Sequence, residues 1–423
     1  LRERGVPGIL ICSDEFGGRA RDFAAQRGYG DIAVVELPST VAYADAVEME
    51  RYAAQVMGAL RRWLEAGQDA GAAAPAEPGT ASEGVVAAPA DPAAWAAFAL
   101  ERGWSEGLPV VPPTPEAVEA YAARLGGDPE RVLAVLPPLG GRVSPRVLAA
   151  NAILAGCLAD GMPFLAAVVQ ALADPAFNLH TLLCSNHSLY PLVIASGPVV
   201  RELGIAAAGS NRPGPWAANA RLGRAVRLVL QNCAGVVGHV TFGNVGRSWD
   251  VIAENTAESP WPSMHAAMGF GDRDSVITVF PAEPPHLIDD QGSTSGEAIL
   301  ATFGPMIANA GNRSLQGRAQ QLVLFGPDHA RALAAHGFDR ERIRQHLIER
   351  YPVRPGGLPP GHYFWQGLAA GRRATIRGEG AAAAMPIVAD PADLLIGVAG
   401  GRGHHSVYVP GGLTGRSVTR RIG

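Results

Sequence analysis

The sequence predicts an α/β protein, with a small parallel β-α-β-α remnant joined to a larger mixed α/β (α+β) domain. Three observations carry this expectation. Strand and helix patterns alternate over residues 1–66, the signature of a mostly parallel sheet. Residues 67–92 (GQDAGAAAPAEPGTASEGVVAAPADP) are Ala, Gly and Pro with small acidic punctuation. That composition buries too little apolar surface to offset chain entropy, so it reads as a flexible linker. Residues 93–423 then mix short apolar runs with amphipathic helices and long loops.

In chain order, Gly8 to Cys12 (GILIC) is a buried strand, and Ser13 and Asp14 offer cap chemistry for a helix to about Arg27. Asp31 to Leu37 is a second strand ending at Pro38, and Asp45 to Glu65 is a long amphipathic helix. After the linker, Trp95 to Arg102 reads as a helix and GLPVVPPTP as an extended segment fixed by its prolines. Pro115 to Leu125 is a helix with Pro in its first turn. Ser144 to Leu158 and Met162 to Leu172 are apolar helices. PLVIASGP is a strand running into a turn and a short helix from Val199 to Leu203. Asn219 to Cys233 is helical, with Leu222, Val226, Val229 and Leu230 on one face. SVITVF, QLVLFG and DLLIGVAGG are strands, and His329 to Ala335 and Arg340 to Arg350 are helices. No internal repeat is read along the chain.

Composition narrows the function classes. Of 423 residues, 48% are apolar and the formal charge is -4, which gives no basic footprint for nucleic acid. No apolar run approaches the roughly 20 residues of a membrane span. All 35 basic residues are Arg, which excludes a Schiff-base lysine and a P-loop from this chain. The four cysteines show no zinc-ribbon or C-x-x-C spacing, and a cytoplasmic location is expected. The start, LRERGVPGILIC, reads as the middle of a domain.

Polar residues concentrate between Cys184 and His265, where loops beside Gly and Pro turns would converge on a site. Asn219, Arg221 and Arg224 at a helix start suit a carboxylate or phosphoryl group, or else form a solvated, capped face. Glu254, in AENTAESPW beside Trp261, reads equally as an acid/base group or as a cap before a Pro stop. His404 and His405 follow the glycines after the last strand, and an extended chain turns only one of two adjacent histidines toward a site; His404, like His187 after Cys184, is a candidate acid/base group. His180, His187, Glu258 and His265 form an alternative metal set that depends wholly on tertiary convergence. The Gly-rich turns lack the spacing of a dinucleotide fingerprint. GWSEGLPVVPPTP is expected to act as a strap or an oligomer contact.

The stretches RGVPGILICSDEF, ARDFAAQRG and IAVVELPST resemble the second half of the UGSC-like domain of bacterial (seleno)proteins. The resemblance implies thiol or selenol redox chemistry, at a motif that family carries upstream of this stretch. GWSEGLPVVPPTPEAVEA, PLVIASGPVVRELGI, ANARLGRAVRLVLQN and DLLIGVAGGRGHHSVYVPG are similar to an uncharacterised bacterial domain that accompanies it. AAAGSNRPGPW and HVTFGNVGRSWD depart from that pattern. Together these features lead us to expect a thiol- or selenol-dependent oxidoreductase or lyase acting on a small polar or anionic substrate. The catalytic residues would be His187, His404 and Glu254, with Asn219, Arg221, Arg224 and Trp261 binding substrate. A metal-dependent hydrolase or lyase, and a non-catalytic small-molecule-binding or assembly module, are the alternatives.

Overall fold

The computed structural model describes residues 8–26, 32–38, 41, 44–65, 85–185, 187–208, 217–235, 251–412 and 415–423. Two compact units divide the chain, Leu1–Ala87 and Ala88–Gly423. In the first, strands β1 (Ile9–Ser13) and β2 (Ala33–Leu37) pair in parallel, Ile9 opposite Ala33, with the helix Asp14–Gln26 between them in sequence. The helix Ala46–Glu65 follows. Residues 67–84 of the Ala/Pro/Gly stretch lie outside the described residues.

The second unit begins with three helices that share one sequence device, a capping residue followed by Pro. Asp91, Thr114 and Ser144 each accept a backbone N–H three residues on, and Pro92, Pro115 and Pro145 occupy the first helical position. The helix expected to reach Leu158 stops at Leu154, because Gly156 turns the chain at a φ of 75°. The Pro-rich segment is strapped down, not free. Arg224 donates from Nε to Glu106 (2.7 Å) and from Nη1 to the Pro109 carbonyl, while Gln231 holds the carbonyls of Gly103 and Ser105.

A hairpin of β3 (Ala134–Leu136) and β4 (Gly141–Val143) precedes two four-stranded sheets. Their strands are β5 (Tyr190–Ser196), β6 (Val251–Ala253), β7 (Val276–Ala282), β8 (His286–Asp289), β9 (Gln321–Phe325), β10 (Leu394–Val398), β11 (His405–Pro410) and β12 (Val418–Arg421). The orders are β6-β5-β7-β12 and β10-β9-β11-β8. Side-chain alternation, with its period of two, sets the layers. Val193 and Ala195 of β5 join the helices Pro145–Leu154, Met162–Leu172 and Ala217–Ala234 in one core. Val323 and Phe325 of β9 join the helices Gly296–Ile307, Pro327–Ala335 and Arg340–Arg350 in another. The opposite faces, Leu192 and Ile194 of β5 with Leu322 and Leu324 of β9, meet in a third core between the sheets. The result is a four-layer α-β-β-α sandwich.

The two sheets are copies of one another, which corrects the expectation of no repeat. In each, a central strand has a parallel neighbour (β6 on β5, β10 on β9) and an antiparallel one (β7 on β5, β11 on β9). The registers match: Pro191 opposite Pro281 in the first sheet corresponds to Gln321 opposite Pro410 in the second. The fourth strands are exchanged, since β8 follows β7 but pairs with β11, and β12 follows β11 but pairs with β7. Two isolated antiparallel bridges, Glu254 with Ala399 and Ala282 with Gly411, join the sheets at equivalent positions of the two halves. Pairing of like with like across an antiparallel bridge is what a two-fold pseudo-symmetry axis produces. Gly204 and Gly337 end equivalent short helices, both at positive φ. The sequence hid the repeat because the register conserves which face is apolar, not which residue sits there.

Candidate functional site

One edge of the space between the sheets stays open as a cleft of about 710 Å³. Its walls are inner-face side chains: Tyr190 and Leu192 of β5, Ile252 of β6, Leu324 of β9, and Val407 and Val409 of β11. Gly400, Gly401 and Arg402, from the turn after β10, and His405 at the start of β11 complete it. Arg402 is exposed, with its Nε 3.4 Å from Glu258, and His405 Nδ1 lies 3.5 Å from Asp289. An apolar body with a few polar groups at one end is the usual character of a small-molecule site.

Side-chain alternation decides between the adjacent histidines. His405 shares the inward face of β11 with Val407 and Val409 and lines the cleft. His404 precedes the strand and packs edge-on against the buried His329, ring centroids 5.5 Å apart. His329 in turn bonds Ser406 Oγ through Nδ1 (2.8 Å) and the Asp290 carbonyl through Nε2 (2.9 Å). Burial chiefly, and then His404, holds His329 below the usual histidine value.

The remaining sequence-derived residues have separate surroundings. Asn219 borders the cleft, but its amide is spent locally: Oδ1 accepts from Ala206 N–H, and Nδ2 donates to the carbonyls of Ala206 and Val251. Arg221 lines a smaller hollow of about 290 Å³ with Cys157, Asp160 and Glu202. Arg224 is committed to Glu106 and the Pro-rich strap. Trp261 is a core residue whose indole donates to the Phe338 carbonyl and packs against Phe325. The proposed carboxylate or phosphoryl clamp therefore divides between a strap, a side hollow and a structural amide.

Glu254 is buried at 3% exposure. Its Oε2 accepts from Ser196 Oγ (3.1 Å) and its Oε1 from Met264 N–H (2.6 Å), with Arg340 Nη2 at 3.5 Å. His265 Nδ1 lies 3.9 Å from the same carboxylate. Arg340 also donates to the Ile396 carbonyl (2.9 Å) and to that of Pro262. Burial lowers the Arg340 pKa, opposed by the neighbouring Glu254. This is a closed polar knot. The sequence signal for it was Arg340 itself, a cation in the first turn of a helix, where the dipole disfavours it unless something else holds it.

His187 stands beside a residue that sequence reasoning missed. Its Nδ1 is 3.7 Å from Oε1 of Glu283, which follows β7 and is buried. Burial pushes the Glu283 carboxyl up to about 7, with Arg313 acting in the opposite direction. The folded state therefore holds a proton that the unfolded chain releases near pH 4. Stability from this group is full below about pH 4, falls as pH rises through 7, and amounts to about 3 kcal/mol at most. Glu283→Gln is expected to flatten that fall and to exceed the parent in stability at pH 8. Urea midpoints between pH 4.5 and 8 check it, and identical pH slopes in both proteins would dismiss it.

The alternative metal set is not assembled. Among the described residues no three His, Cys, Asp or Glu side chains are placed to hold a metal ion. His180 is exposed on the helix Leu179–Cys184, His187 faces Glu283, and His265 contacts Ser263 and Glu254. Glu258 pairs with Arg331. The thiols also differ in their surroundings. Cys157 and Cys233 are buried, and desolvation pushes both up to about 12, so neither is poised as a nucleophile. Cys184 is exposed. The departing loops, residues 209–216 and 239–250, lie outside the described residues.

No helix among the described residues is long and apolar enough to cross a membrane. No curated protein and no solved structure matches the chain. The N-terminal segment does have a counterpart: residues 1–66, which hold the parallel β-α-β-α unit, match the model of the UGSC family.

Proposed function

We propose that residues 88–423 form a small-molecule-binding module whose cleft takes a ligand with an apolar body and an anionic end. The observation that carries this reading is the open inter-sheet cleft, apolar along its walls and carrying Arg402 and His405 at one end. A volume of about 710 Å³ matches a ligand of metabolite size. The fluorescent probe 1-anilinonaphthalene-8-sulfonate has the required character, an aromatic body with one sulfonate. We expect saturable fluorescence enhancement at one site per chain. Val407→Trp, which fills the cleft from β11, should weaken it about tenfold or more, by removing over 1.4 kcal/mol of binding. Unaltered binding by a folded Val407→Trp protein would refute the assignment.

A second reading adds chemistry to binding: thiol- or selenol-dependent oxidoreductase or lyase action on the bound molecule. It is supported by the UGSC match over residues 1–66 and by what resemblance to that family implies. Its test is turnover in a form that carries the family motif. Alkylation of that motif should abolish activity, and undiminished turnover would remove the redox claim.

A further inference from the structure

The pseudo-two-fold axis gives each wall of the open cleft a counterpart. Leu192 opposite Phe280 corresponds to Leu322 opposite Val409, and Ile194 beside Ile252 corresponds to Leu324 beside Gly397. The counterparts of Leu192, Ile252, Leu324 and Val409 are therefore Leu322, Gly397, Ile194 and Phe280. At that second location Met264 takes up the space. Met264 is 3% exposed and shares the inter-sheet core with Leu322, Ile194 and Phe280. Its sulfur lies 3.6 Å from where a Cβ on Gly397 would stand. The main chain of Met264 is held at its N–H by the Glu254 carboxylate.

The difference between the two locations is one of chain length. Residues 254–275 separate β6 from β7 and include the helix Met264–Ala267, which delivers the methionine. Only residues 399–404 separate β10 from β11, and they turn back beside the cleft with Arg402 at its edge. One half of the molecule thus carries its own occupant, an unbranched apolar arm laid across the strand floor, and in the other half no side chain among the described residues takes the equivalent place.

We infer that the open cleft binds a straight-chain monocarboxylate, its alkyl end lying over Ile252 as Met264 lies over Gly397, and its carboxylate at Arg402. This rests on the reading of the cleft as a ligand site and specifies the ligand. An unbranched chain laid between the apolar walls of the cleft gains contact with each methylene that it buries. The guanidinium offers the carboxylate a charge-assisted pair of donors. Ile252 lines the cleft where the other half has glycine, so its side chain limits the length of chain the cleft takes.

The test is calorimetric titration of the full chain with butanoate, hexanoate, octanoate and decanoate, and with the matching primary alcohols. Affinity should rise with chain length to an optimum. Ile252→Ala should move that optimum to a longer acid, and Ile252→Phe to a shorter one, so that the outcome does not hang on one variant folding. Arg402→Gln should weaken every acid about tenfold, as loss of a hydrogen bond to a charged group implies, and leave the alcohols unchanged. An optimum that stays fixed in both Ile252 variants, or acids that bind no better with length, would overturn the inference. If the anilinonaphthalene sulfonate still binds and still responds to Val407→Trp, the cleft remains a ligand site and only the straight-chain occupant is lost. If neither class of ligand binds, both readings fall together.

Discussion

Arg340→Ala is expected to destabilise the protein by about 3–5 kcal/mol, the range for removing one member of a buried ion pair. Arg340 and Glu254 are 7% and 3% exposed, and the guanidinium also satisfies the carbonyls of Ile396 and Pro262. Truncation would leave Glu254 charged, buried and short of its cation, and two carbonyls short of a donor. The penalty comes from those abandoned groups, not from the attraction in the pair. The double variant Glu254→Gln/Arg340→Met should therefore be more stable than Arg340→Ala alone, because it removes the charge along with its partner. Urea denaturation of the parent and both variants measures this. A loss below about 1 kcal/mol for Arg340→Ala would mean that solvent reaches the pair, as at a surface salt bridge.

Phe280→Ala is expected to cost about 3–5 kcal/mol, the usual range for a buried Phe truncated to Ala. Phe280 is fully buried, stands opposite Leu192 on β7 and β5, and faces the second sheet instead of a helix. Its removal would leave a void at the middle of the inter-sheet core that neighbouring strands, fixed by their ladders, cannot close. The denaturation midpoint should fall with little change in the denaturant slope, because the surface exposed on unfolding scarcely alters. A cost below about 1 kcal/mol would contradict face-to-face packing of the two sheets. Phe280 stands opposite Leu192, a wall of the cleft, so the variant is also expected to change the affinity of the anilinonaphthalene probe.

Much of the local structure was legible in the residue order. The paired strands of the first unit and the helices Met162–Leu172 and Arg340–Arg350 follow from apolar patterning, the last with Asp339 as its cap. Short strands escaped notice where few residues carry the pattern: Val251–Ala253, His286–Asp289 and Val418–Arg421 have three or four residues each. The site was less legible. Polar residues between Cys184 and His265 do cluster in sequence, yet Glu254 serves a buried knot, Arg224 a strap and Trp261 a core. The residues that shape the cleft are mostly aliphatic, and nothing in their type separates a wall from an ordinary core position. Arg402 carries no sequence signal of its own, and of the adjacent His404 and His405 only the pleat of β11 decides which turns inward.

By itself the sequence determined the longer helices and strands, several of the caps that begin them, and that no lysine chemistry operates in this chain. Those properties depend on neighbours within a few residues. The tertiary structure alone decided the exchange of fourth strands between two like sheets, the axis that relates them, and the open cleft in one half at the counterpart of the place Met264 takes in the other. Each of these depends on contacts between residues far apart in the chain, and the energy of such contacts rewards matching faces and volumes, which many residue choices satisfy equally well.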